Sequence, residues 1–121
     1  MKIQDVLLLC LFFVNRESRN WSQQKLAHTL GISVSTVNES LKRLHKVSLI
    51  CIYYEVGDMS EPKEKHSINN YFSCCKFLKY TARYITTFST DENINKLYRN
   101  IEDEKLRRLF TLVCNDLQDQ D

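Results

Sequence analysis

The chain has 121 residues, 43% apolar and 26% charged, a balance that fits an ordinary soluble globular domain and excludes a disordered one. Two glycines and one proline leave little turn-forming material for a β-sandwich, so a mostly α fold is expected. The net charge of +2 is unevenly spread: residues 1–50 carry seven bases against three acids, whereas residues 91–121 carry five against eight. Any polyanion-binding surface is therefore expected in the first half.

Residues 2–14 predict a helix that is apolar nearly all round, from Ile3 through Val14. A helix with one buried stripe needs only about three apolar positions in seven, so this one requires cover on several sides. A second subunit is the expected cover; the alternative is that the C-terminal helices fold back over it within one chain. The apolar run Val6–Val14 is nine residues, too short for a bilayer. Asn15-Arg16-Glu17 replaces the small-residue cleavage site of a signal peptide. No membrane association and a cytoplasmic location are expected.

Ser22 is placed to cap a helix over Gln23–Leu30 that buries Leu26, Ala27 and Leu30. Gly31 stops it by adopting the left-handed conformation without a Cβ clash. Ser33 caps the next helix, in which Val34, Val37, Leu41 and Leu44 recur at intervals of three, four and three, one face of a 3.6-residue period. Leu49–Tyr54 is β-rich and reads as a strand, Gly57–Lys65 as a hairpin loop, and the return strand lies around His66–Ile68. Beyond Asn69 the pattern is helical again, with Phe72, Cys75, Leu78, Ala82 and Ile85 on one face. Thr90 or Asp91 caps a short helix through Ile94, Leu97 and Tyr98, and a last helix carries Leu106, Leu109, Phe110, Val113 and Leu117. Residues 1–68 and 69–121 are read as two units, the second a helical extension.

The segment Trp21–Tyr54 is the most informative. Ala27 is small enough for two helices to cross closely, Gly31 makes the tight turn, and Ile32, Val37 and Leu41 pin the second helix to the first. Ser35, Thr36, Asn38, Glu39 and Lys42 are left pointing away from the core, on a rod of the width that fits a DNA major groove.

Leu26-Ala27, Leu30-Gly31-Ile32-Ser33, Ser35-Thr36-Val37, Leu41-Lys42-Arg43-Leu44 and Leu49-Ile50 together resemble the winged helix-turn-helix of bacterial transcriptional regulators of the multiple-antibiotic-resistance (MarR) type. One departure is Val47-Ser48, where that pattern usually has a small residue and glycine. The resemblance implies a winged helix-turn-helix with a small β-hairpin wing, to which the helical pattern beyond Asn69 adds C-terminal helices. It further implies a homodimeric repressor on double-stranded DNA. Ser33, Ser35, Thr36, Asn38 and Glu39 would meet the DNA at the start of the recognition helix, with Asn38 suited to adenine and Glu39 to cytosine. Lys42, Arg43, Lys46, Ser22 and Gln23 would meet phosphates, and Lys63, Lys65 and His66 would line the wing.

A protein-docking module is the alternative, since Glu39 repels phosphate if misplaced and Glu61 and Glu64 nearly neutralise Lys63 and Lys65. Cys10, Cys51, Cys74, Cys75 and Cys114 show no zinc-ligand spacing with His28, His45 and His66, so thiols in a reducing compartment are expected, with no metal and no cofactor. No glycine-rich phosphate loop, H-E-x-x-H or G-x-S-x-G is present, and no catalytic residue is expected.

Overall fold

The computed structural model describes residues 1–15, 21–56, 61–81, 97 and 99–118. In chain order these form α1 (Ile3–Val14), α2 (Gln23–Leu30), α3 (Val34–Lys46), β1 (Ile50–Glu55), β2 (Lys63–Ile68), α4 (Tyr71–Lys76) and α5 (Glu104–Gln118). A π-helical turn, Phe77–Thr81, continues α4. The architecture is mostly helical with one antiparallel hairpin, in which Ile52 faces His66 and Glu55 faces Lys63. Trp21 adds one bridge to the other side of β2, where the His66 N–H donates to the Trp21 carbonyl at 3.0 Å. Among the described residues no helix is long and apolar enough to cross a membrane.

The expectation that a second subunit covers α1 is overturned. None of the apolar residues from Ile3 to Phe12 is more than 1% exposed within a single chain. α3, β2, α4 and α5 all pack against it. An all-round apolar pattern measures how much cover a helix needs, not which chain supplies it. Here a 15-residue C-terminal helix returns to do so, burying Leu106, Phe110, Val113 and Cys114 in the same core. Asp103 starts that helix, its carboxylate accepting from the amides of Lys105 and Leu106 at 2.8 and 3.2 Å.

Other differences are local. Val34, the first residue of α3, is 46% exposed rather than buried. In α4 and the π-helical turn that continues it the inward face is Cys74, Phe77 and Leu78, while Phe72 and Cys75 face outward. Both stripes have helical spacing, and Cys74 joins the α1 and α5 thiols Cys10 and Cys114 in the core. Burial pushes the Cys74 thiol up to about 12 and raises Cys10 as well, so neither supplies thiolate at neutral pH. β2 begins at Lys63, inside the stretch expected to be loop, because pairing with β1 recruits residues of weak strand propensity. The expected contributions of Ala82, Ile85, Thr90, Asp91, Ile94 and Tyr98, and of the Leu117 side chain, fall outside the described residues.

Candidate nucleic-acid interface

Local chemistry sets the α2–turn–α3 unit. The Ser22 hydroxyl accepts from the Lys25 amide at 3.2 Å and starts α2. Gly31 ends it with φ of 66°, and a Cβ there would stand 2.9 Å from Asn100. Both the left-handed backbone and the close approach of the C-terminal segment therefore require glycine. The Ser33 hydroxyl accepts from the Thr36 amide at 3.1 Å and lies 2.7 Å from the Thr36 hydroxyl and 3.1 Å from that of Ser35. Ser33 is thus a cap first, with its hydroxyl already engaged.

α3 is sharply two-sided. Val37, Ser40, Leu41 and Leu44 are at most 2% exposed. Ser35, Glu39, Lys42 and Lys46 are exposed, and Thr36 and Asn38 half-buried. Glu39 pairs with Lys42 at 3.7 Å across one helical turn, both ends solvated, so the pair is weak and easily exchanged for a ligand.

Arg43 does not belong to that open face. Its Nε and Nη2 donate to the two carboxylate oxygens of Asp5 at 2.7 and 2.8 Å. Asp5, in α1, is fully buried, and its Oδ2 also accepts from the Lys2 amide at 3.0 Å. The Asp5 hydrogen bond holds the Arg43 guanidinium above its ordinary pKa, against the opposing effect of burial. The expected phosphate contact is instead a bidentate clamp between α1 and α3.

The hairpin also differs from expectation. Alternation along β2 sends Lys63 and Lys65 to one side and Glu64 and His66 to the other. His66 is 1% exposed, so it does not line the outer surface of a wing. Its Nε2 lies 3.1 Å from a Glu64 oxygen without hydrogen-bond alignment, and its Nδ1 has no partner among the described residues. Burial lowers its pKa, opposed by Glu64 and reinforced by His45.

Between α3 and the hairpin opens a cleft of about 510 Å³ whose walls include Gln23, Asn38, Lys42, Lys46, Glu64 and His66. His45 and Ile52 also line it, and sequence reasoning missed both. The 38–42–45 spacing on α3 could have placed His45 there. Gln23 and Asn38 meet across its edge, the Gln23 Nε2 donating to Asn38 Oδ1 at 3.4 Å. The arrangement brings together Gln23, Asn38, Lys42 and Lys46, keeps Ser35, Thr36 and Glu39 on the same helix, and removes Arg43, Lys63 and Lys65 from the group. No family model matches this chain, and no curated protein or solved structure is found to be similar to it.

Proposed function

We propose that the chain is a sequence-specific DNA-binding regulator of the winged helix-turn-helix kind that its residue pattern resembles, acting as a repressor on an inverted-repeat operator. One observation carries the reading: a helix of 13 residues behind a tight turn keeps one side buried and offers hydroxyl, amide, carboxylate and ammonium groups on the other. Ser35, Thr36, Asn38 and Glu39 occupy its N-terminal half, the part that meets base edges in such modules, with Lys42 and Lys46 further along for phosphates. Asn38→Ala is expected to lose about 1–3 kcal/mol on the cognate site and little on random DNA. Lys42→Ala weakens every sequence and flattens the salt dependence. Equal losses on cognate and random DNA from both changes would count against the assignment, as read by gel shift at several salt concentrations.

A homodimer is part of the proposal, because two recognition helices about 34 Å apart read an inverted repeat. With α1 covered from Ile3 to Phe12, exposed apolar residues that could serve it among those described include Phe72, Tyr80 and Leu112, each more than 60% exposed on the π-continued α4 and on α5. Sedimentation at micromolar concentration is expected to give twice the 14.4 kDa chain mass; a monomer that still binds one half-site refutes the dimer alone. The competing reading is a protein-docking module, favoured by Ile52, Tyr54 and Val56, which are exposed along and just beyond β1, Ile52 and Tyr54 on the cleft side of the hairpin. On that reading DNA retention is weak and indifferent to sequence.

A further inference from the structure

The Gln23–Asn38 contact has a consequence for which base is read. A side-chain amide is planar, with its acceptor oxygen and its NH2 donors pointing apart. Gln23 is the first residue of α2, and Asn38 lies on the outward half of α3. Because Gln23 Nε2 donates to Asn38 Oδ1, the Asn38 oxygen is turned back toward α2. The end that this contact does not occupy is Nδ2, a pure donor. Both side chains are half-buried at the edge of the cleft, so water competes for this contact less than on an open surface.

In the major groove adenine presents an acceptor beside an amino donor, and a two-handed match needs both ends of an asparagine. Guanine presents two acceptors, N7 and O6, which a lone NH2 group satisfies. Nδ2 as the end offered to a base therefore leaves the adenine amino group facing a donor, and makes guanine the better partner. Resting on the DNA-binding reading above, we infer that Gln23 is a specificity-positioning residue: it orients Asn38 so that the base pair Asn38 meets is selected as guanine rather than adenine. Gln23 then differs in kind from a residue that only touches phosphate. Removing it relaxes the choice between bases at one position, whereas removing a phosphate contact lowers affinity for all sequences alike.

The test is selection of bound sequences from a random duplex pool by the full chain, followed by affinity measurements on single-base variants of the enriched site. The position whose preference is abolished by Asn38→Ala identifies the base pair concerned. There the wild-type chain is expected to prefer guanine over adenine by about tenfold, the size of one good base contact. Gln23→Ala relaxes that ratio toward unity. Gln23→Glu, whose carboxylate can only accept, draws Nδ2 inward and turns Oδ1 outward, so the preference moves to an edge with an amino donor, cytosine or adenine. Thermal melting of each variant shows whether it is folded, and the ratio of two affinities on one variant is unaffected by any general loss of binding. A wild-type preference for adenine at that position, or an unchanged ratio in both Gln23 variants, overturns the inference while leaving DNA binding intact. A wild-type chain that enriches no sequence overturns the DNA reading and this inference together.

Discussion

Helices α1 and α3 differ by one residue in length and meet face to face, yet the fold uses them in opposite ways. α1 gives up almost everything: from Ile3 to Phe12 only Gln4 keeps part of its surface, and even the Asp5 carboxylate is buried. α3 gives up one side only. Chemistry that could meet a partner is found where packing makes no demand, and Arg43 lies on the boundary between the two regimes. It sits one residue beyond Lys42 in sequence, but a 100° step around the helix carries its guanidinium from the open face to Asp5.

The sharpest way to break that contrast is to remove Arg43. Arg43→Ala leaves the buried Asp5 carboxylate without its bidentate partner, the Lys2 amide remaining, and breaking one side of such a pair costs about 3–5 kcal/mol. Lys46→Ala, three residues on and exposed, changes stability by less than about 0.5 kcal/mol. Urea unfolding of the two variants decides the matter. Similar midpoints would mean that Arg43 belongs with the surface lysines and that α1 and α3 are not clamped.

What was legible in the residues was what local chemistry settles. Ser22, Ser33 and Gly31 act on backbone within a few positions, so both helices and the turn between them can be read from the sequence. The two-sidedness of α3 follows from its period, apart from Val34. What could not be read depends on distant partners. Asp5 lies 38 residues from Arg43, and nothing near Arg43 announces it. The choice between the Phe72–Cys75 and Cys74–Phe77 stripes is made by the core that receives α4, not by α4 itself. The resemblance implies that His66 lines a wing, but strand alternation and its pairing with both Trp21 and Ile52 turn it inward.

His66 supplies a second, smaller contrast, between a titratable group the fold has enclosed and the exposed His28 and His45. Desolvation lowers its folded pKa below the value of about 6.5 expected in the unfolded chain. As pH falls through 6.5 the unfolded chain takes up this proton first, so stability is full above that pH and declines below it, levelling off once the folded form is protonated too. Glu64 limits the decline and His45 deepens it, both lining the same cleft. Denaturation midpoints measured between pH 7.5 and 5.5 are expected to fall in the wild type and to fall less in His66→Phe. Parallel curves for the two proteins would show that His66 is not the group responsible.

The smallest predicted effect sharpens the boundary where α3 gives way to β1. Ser48 is the only residue other than glycine with positive φ among those described, at 62°. It stands where the pattern the segment resembles usually has glycine, and it adopts the left-handed conformation despite its Cβ. The conformation is imposed from both sides. The Ser48 amide donates to the His45 carbonyl and the Leu49 amide to that of Leu44, both at 3.0 Å, closing α3 and aiming the chain into the strand. For a residue with a Cβ the left-handed region costs about 1–2 kcal/mol. Against this, glycine loses about 0.5–1 kcal/mol more backbone entropy on folding. Ser48 is exposed, so its replacement opens no cavity. Ser48→Gly is therefore expected to stabilise the chain by about 0.5 kcal/mol, raising the urea midpoint with an unchanged slope. A lowered midpoint would mean that the serine hydroxyl holds this turn, and that the left-handed backbone there is not under strain.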